Sequence, residues 1–378
     1  MNFLKISNLS FLIGIVLGIF LLYLFLPSKS SNIDFDQLAL GEENKTIWAN
    51  YNDKKIHCSN LKSIDYCLEG YKAQNKELPV TIWFGNSQLH AINQYNLGDE
   101  SAALHLHRNL IKYDIYTLTF SLANANLQEH YLYLSYLLNK FPIETLILPI
   151  FFDDMREDQI RDNFTDILND PIFFEKINKT LTGKNLIKRL SNKDLAGNIS
   201  EVKEENLQSN FENFFDERLS KFWKLWSKRG ELRSNLYTKL YHLRNSIFRI
   251  NASTTRRIIP GRYVKNIQAY RDILNLANEN NIKVLVYIPP IRNDIKIPYN
   301  VEKYNKFKKK IKEIANEKKV WFLSLENIVP PEFWGRKPST NLEEGYEVDF
   351  MHFKAEGHRL LADAILFEIN KLKLFINK

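Results

Sequence analysis

The sequence predicts an α/β protein of three layers, with helices on both faces of a mainly parallel sheet, preceded by a transmembrane helix and interrupted by a helical insertion. Three observations lead there. Runs of β-branched and aromatic residues at 80–84, 115–120, 145–152, 283–288 and 320–325 have the length and composition of buried strands. Helical stretches lie between them, and strands that alternate with helices imply parallel pairing through crossovers. The chain has 378 residues, 44% of them hydrophobic, so the portion beyond residue 78 can bury a full core without a metal or cofactor.

The first element is an uncharged apolar run at 11–26, closed by Pro27. With Leu9 and Ser10 it approaches the ~17–20 residues that cross a bilayer. No small-x-small cleavage site follows it, which favours an uncleaved signal anchor (residues 1–27) over a cleaved signal peptide. Lys5 and the α-amino group mark the cytoplasmic flank, while Lys29 stands on the far side. The expectation is a single-pass protein of a bacterial cytoplasmic membrane with an extracytoplasmic domain. Residues 28–78 read as a polar stalk and lead-in. They hold the chain's two cysteines, Cys58 and Cys67, expected as a disulfide. Only His57 stands near them, too few ligands for zinc, and no metal is expected.

The stretch Val80-Thr81-Ile82-Trp83-Phe84-Gly85-Asn86-Ser87-Gln88 reads as a strand broken by a sharp turn. Leu89, Ala91, Ile92 and Tyr95 follow on an irregular helix-like stripe. Ser87 is thereby set at a strand's carboxyl end, where open α/β sheets bind ligands. Its backbone N–H, at a helix start, is placed to stabilise an oxyanion. Taken alone, the turn reads first as a helix cap. Asp349-Phe350-Met351-His352 changes that balance. Asp and His three apart, in a loop before the last helix, can enter one cleft. His352 would take the Ser87 proton while Asp349 fixes its tautomer. The last helix carries Leu361, Ile365, Ile369 and Leu372 at helical spacing, a packing stripe.

Gly85-Asn86-Ser87 early and Asp349-x-x-His352 late resemble the SGNH (GDSL-like) hydrolase superfamily, over 79–154 and 281–378. The resemblance implies an acyl-serine mechanism and an oxyanion hole built from a Gly backbone N–H and an Asn side chain. At the corresponding places the chain reads Ser121-Leu122-Ala123-Asn124-Ala125-Asn126, without Gly, and Asp153-Asp154-Met155-Arg156, where the family has Gly-x-Asn-Asp. Asn124, Asn126, Gln88 and Asp153 are the candidate oxyanion or substrate residues, although an ionised carboxylate donates no hydrogen bond. The layout is similar to membrane-anchored proteins that move acyl groups on cell-surface polymers, such as the D-alanyl transfer and alginate O-acetylation types. This implies an esterase or O-acyltransferase. Its expected partners are an acylated surface polymer or glycan, membrane lipid and a multi-span membrane acyltransferase, with no cofactor and no nucleic acid. The departures from the family pattern keep open a second class, a non-catalytic binding or assembly protein on the same fold.

Residues 155–280 interrupt the alternation and read as a basic helical insertion, with Leu225, Leu232, Leu236, Leu240, Leu243 and Ile247 near helical spacing. From Arg218 to Arg271 there are fourteen Lys or Arg and one acid, Glu231, against a net charge of +8 for the whole chain. So one-sided a segment is expected to face an anionic polymer or lipid, unless acids such as Glu204, Glu205, Asp216 and Glu217 fold back on it.

Overall fold

A computed structural model describes residues 40–190 and 229–372, apart from short gaps at 42, 60, 75–76, 162–163 and 165–169, together with Gly14 and Gly18. In chain order the strands are β1 (Asn44–Thr46), β2 (Asn50–Tyr51), β3 (Lys54–Lys55), β4 (His57–Cys58), β5 (Val80–Gly85), β6 (Ala91–Asn93), β7 (Tyr116–Ser121), β8 (Ile143–Pro149), β9 (Lys283–Ile288), β10 (Trp321–Ser324), β11 (Trp334–Pro338) and β12 (Tyr346–Phe353). The helices that matter here are α1 (Leu61–Lys72), α2 (Ser87–His90), α3 (Ala102–Leu110), α4 (Leu127–Leu137), α5 (Pro171–Ile177), α6 (Arg229–Ile247), α7 (Pro260–Glu279), α8 (Val301–Glu317) and α9 (Ala355–Lys371).

The main sheet has six strands in the order β10-β9-β8-β5-β7-β4, and each neighbouring pair is parallel. Side chains on a strand alternate between faces, and here the alternation sorts the core. Val80, Ile82 and Phe84 of β5 join Leu146, Leu148, Val284 and Val286 in a cluster with α4, α7 and α8. Trp83, Ile147, Leu285 and Tyr287 point the other way, onto α3 and α9. The three-layer α/β/α expectation is met in this sense.

The five strands anticipated from the sequence are β5, β7, β8, β9 and β10. Taken in that order they stand 2-1-3-4-5 across the sheet. The direction of winding therefore reverses at the β5/β8 pair, and the crevice outside the carboxyl ends of those two strands is where such a sheet binds ligands. The sixth strand is β4, from the lead-in, paired in parallel with β7. β1, also from the lead-in, pairs antiparallel with β6. Residues 40–72 are thus woven into the body. Cys58 on β4 and Cys67 on α1 are joined by a disulfide.

Among the described residues no helix is long and apolar enough to cross a membrane. The longest described helix, α7, runs 20 residues but carries Arg262, Lys265, Arg271, Asp272 and Glu279. This corrects the expectation of a single-pass protein of the cytoplasmic membrane with an extracytoplasmic domain. The apolar run at 11–26 lies, apart from Gly14 and Gly18, outside the described residues.

Residues 40–190, 252–338 and 346–372 belong to one unit. The other described residues, 229–251 and 339–345 with Gly14 and Gly18, belong to a second. In the second, Asn245 Nδ2 near the end of α6 donates to the Thr340 carbonyl at 2.7 Å. In the first, basic side chains of 252–271 meet acids of the α/β body. Arg256 pairs with Asp153, Arg262 and Lys265 with Asp158 at 3.3 and 2.8 Å, and Arg271 with Glu317 at 2.7 Å. Glu204, Glu205, Asp216 and Glu217 lie outside the described residues.

Candidate active site

The turn after β5 is built by three consecutive residues. Gly85 closes it because a Cβ there would stand 2.3 Å from Leu89 Cδ1. Asn86 is extended (φ −113°), and its Oδ1 accepts from the Gln88 N–H at 3.0 Å, capping α2. Ser87 follows, and from Val80 to Asn93 it is the only residue that is not buried. α2 is only four residues long, so it carries little dipole. What it leaves is an orphan backbone N–H on Ser87, the first helical residue, with no partner among the described residues.

Asp349 and His352 do not lie in a loop, as the sequence suggests. They sit in β12, which pairs with β11 as a separate two-stranded sheet. On a regular strand, residues three apart face opposite sides. Here Trp334 pairs with Phe353 while Arg336 pairs with Val348, two steps on β11 against five on β12. The surplus residues bulge, and Asp349 closes the bulge by accepting the Met351 and His352 N–H groups on Oδ1 at 2.9 and 3.0 Å. The same bulge turns the His352 ring back onto Asp349.

The result is a continuous hydrogen-bond chain. His352 Nδ1 lies 2.9 Å from Asp349 Oδ2, and His352 Nε2 lies 2.9 Å from Ser87 Oγ. An ionised Asp349 accepts from Nδ1–H, which leaves Nε2 to accept the Ser87 hydroxyl proton. Asp349 and His352 are buried. Burial alone would raise the Asp349 carboxyl, but His352 and the two backbone donors outweigh it and hold it well below the usual carboxylate range. The group stays an anion at any working pH.

Solved structures align with the chain at low sequence identity. A family two carbohydrate esterase from Clostridium thermocellum, solved with bound cello-oligosaccharide, aligns at 10% identity with a TM-score of 0.36. The alignment covers 79% of this chain and 66% of the esterase, just under two thirds of its length. A protein named an acylhydrolase from Bacteroides fragilis aligns at 12% identity over 81% of this chain and 96% of its own, TM-score 0.33. One named a GDSL-like lipase from Parabacteroides merdae aligns at 10% over 79% and 97%, TM-score 0.36. No protein-family profile matches the chain and no curated protein matches it in sequence.

The four oxyanion or substrate candidates are placed as follows. Asn124 is exposed at a left-handed turn (φ 53°). Asn126 caps α4, its Oδ1 accepting from Gln128 and Glu129 N–H while Nδ2 donates to the Gln159 carbonyl. Gln88 Nε2 donates to the Pro290 and Met351 carbonyls at 3.0 and 2.8 Å, tying α2 to the segment beside His352. Asp153 accepts from Arg256, from Arg156 at 3.4 Å and from Tyr299 Oη at 3.0 Å, and so sits within an ion-pair cluster. The amide donors of Asn126 and Gln88 are thus committed within the protein.

Several contacts at the site carry no signal in the sequence. Asn44, on β1, donates from Nδ2 to Asp349 Oδ2 at 3.2 Å. Asn86 Nδ2 donates to Asp154 Oδ1 at 3.1 Å across 68 residues of chain. Behind α2, Ser121 Oγ lies 2.6 Å from His57 Nε2 and 2.7 Å from His90 Nδ1, and Trp48 packs on both rings. Burial pushes His57 down to about 3 and His90 well below its ordinary value, so both are neutral. His130 stacks on Phe84 at 5.0 Å and donates to the Gly85 carbonyl at 3.4 Å. These neutral rings brace the turn from below. Only the Gly-Asn-Ser and Asp-x-x-His spacings could have been found by reading the chain.

Proposed function

We propose that the protein is a serine esterase or O-acyltransferase that works through an acyl-serine intermediate. Ser87 Oγ attacks the carbonyl carbon of an acyl ester as His352 Nε2 takes its proton. Asp349 holds the Nδ1–H and stabilises the imidazolium. The tetrahedral oxyanion collapses, the ester C–O bond breaks, and His352 returns the proton to the leaving alkoxide. Water or a sugar hydroxyl then enters by the same route in reverse and releases the acyl group. The backbone N–H of Ser87 is one donor available to the oxyanion.

The observation that supports this reading is the Ser87–His352–Asp349 chain, with both links at 2.9 Å and the serine as the one opening in a buried run. An acyl ester on a glycan or other polymer is the substrate we assign, from the resemblance of the chain's layout to polymer acyl-transfer proteins. The competing reading is a non-catalytic binding protein, favoured by the committed amides of Asn126 and Gln88. A fluorophosphonate probe separates the two. Wild-type protein should take the label and Ser87→Ala should not. A wild type that is neither labelled nor able to turn over p-nitrophenyl acetate sinks the enzyme reading.

A further inference from the structure

Four acidic side chains are buried among the described residues: Glu129, Asp154, Asp272 and Asp349. Glu129 is paired with Arg161, and Asp349 with His352. Asp272 accepts from the Thr182 backbone N–H and from Gln268. Asp154 has a single neutral donor, Asn86 Nδ2, and no cation within ion-pair distance among the described residues. Its neighbours in the chain, Asp153 and Asp158, are each paired with arginine. A buried carboxylate without a cation or several donors is too costly to persist, and such a group keeps its proton.

The position makes this matter. Asp154 follows β8 and Asn86 follows β5, so the Asn86–Asp154 bond spans the reversal point of the sheet, with Ser87 as the next residue. Asp154 Oδ2 has no partner among the described residues, and it is not one of the side-chain atoms sealed from solvent without a partner, such as Thr81 Oγ1 and His130 Nδ1. We propose that Asp154 works as a neutral carboxylic acid, its Oδ1 accepting from Asn86 and its Oδ2–H donating to the oxyanion that forms on the Ser87-bound acyl group. This rests on the serine reading above.

The surroundings favour that state. Burial raises Asp154 well above the usual carboxylate range, and against the Asn86 bond the charges of Asp153, Glu157 and Glu129 raise it further. Arg161 is committed to Glu129, and Arg256 and Arg156 to Asp153. α7 contributes the neutral Asn266, which binds the Asp154 carbonyl. Ionised, Asp154 would set an anion against the charge developing in the transition state. Protonated, it stabilises that charge, as buried carboxylic acids do in other oxyanion holes.

Three variants test this, read on p-nitrophenyl acetate and on the rate of fluorophosphonate labelling. Asp154→Asn keeps a neutral donor and should hold kcat within about tenfold of wild type, while Asp154→Leu should lose about 10²–10³-fold, mainly in kcat. Wild-type kcat should fall at alkaline pH as Asp154 ionises, and Asp154→Asn should lack that limb. A second measurement needs no activity. A folded-state pKa above the unfolded value means that wild type loses stability as pH rises from about 4, so the urea midpoint of Asp154→Asn should gain on wild type with rising pH. Asp154→Asn as impaired as Asp154→Leu with both folded, or a stability gap that does not change with pH, overturns the proposal. Full activity in Ser87→Ala would instead overturn the serine reading itself, and this inference with it.

Discussion

Asn44 Nδ2 donates to Asp349 Oδ2 at 3.2 Å, so a residue near the start of the described chain steadies a group 305 positions away. Asn44 is held in turn by Asn93, which donates to its Oδ1 at 3.0 Å, and by the β1–β6 pairing. The same Asp349 oxygen accepts the hydrogen bond from His352 Nδ1–H, so Asn44 helps set the plane in which His352 turns toward Ser87. Asn44→Ala should lower kcat/KM by about tenfold and the unfolding free energy by roughly 1.5–3 kcal/mol, the worth of a hydrogen bond to a charged group. Asn44→Asp should do worse. A second carboxylate at that distance raises Asp349 and should move the acidic limb of the pH–rate profile upward. An unaltered profile in Asn44→Asp would show that Asn44 has no hold on the catalytic carboxyl.

Ser87→Ala and His352→Ala should each remove activity by several orders of magnitude, and the double variant should be no worse than either alone. Residues that act as one unit are grossly non-additive. Multiplicative losses would mean that Ser87 and His352 act independently, despite their 2.9 Å contact.

The Cys58–Cys67 bond closes a loop with a sequence separation of 9 and ties the edge strand β4 to α1. Chain-entropy arguments give such a loop about 2.5 kcal/mol of stabilisation. Cys58→Ser with Cys67→Ser should lower the unfolding free energy by roughly that amount in urea. Turnover at low temperature should persist, since neither cysteine touches Ser87, His352 or Asp349.

Stability should decline on acidification well before Asp349 is protonated. Burial holds His57 and His358 down to about 3 and His107 and His130 down to about 4, against an ordinary value of 6.5. A histidine depressed in the fold binds its proton more readily when unfolded. The stability it contributes is complete above about pH 6.5 and is lost as pH falls toward 4. Asp349 adds a loss of the same sign at lower pH. Urea midpoints at pH 7 and pH 4.5 should differ clearly. Asp154 acts in the opposite sense over this range, so the comparison is made in Asp154→Asn, where equal midpoints would mean that these rings are not held neutral.

Much of the scaffold was legible because it depends on local patterning. The run at 283–288 is β9, and those read at 80–84, 115–120 and 320–325 differ from β5, β7 and β10 by a residue or so at either end. The third, read at 145–152, runs Ile143–Pro149. β4 was missed because two residues carry no periodicity; its strand character comes from the edge of β7 that it covers.

The sequence by itself determined the alternation of strands and helices, the serine on its Gly-Asn-Ser turn and the spacing of the aspartate and histidine, because period, turn chemistry and spacing are written in neighbouring residues. Only the tertiary structure decided what completes the site. The β12 bulge depends on pairing with β11, the Asn44 contact on β1 reaching β6, and the Asn86–Asp154 bond on β5 lying beside β8. Each is a contact between segments far apart in the chain, and the protonation of a buried carboxyl such as Asp154 follows from what surrounds it in space, which no neighbouring residue records.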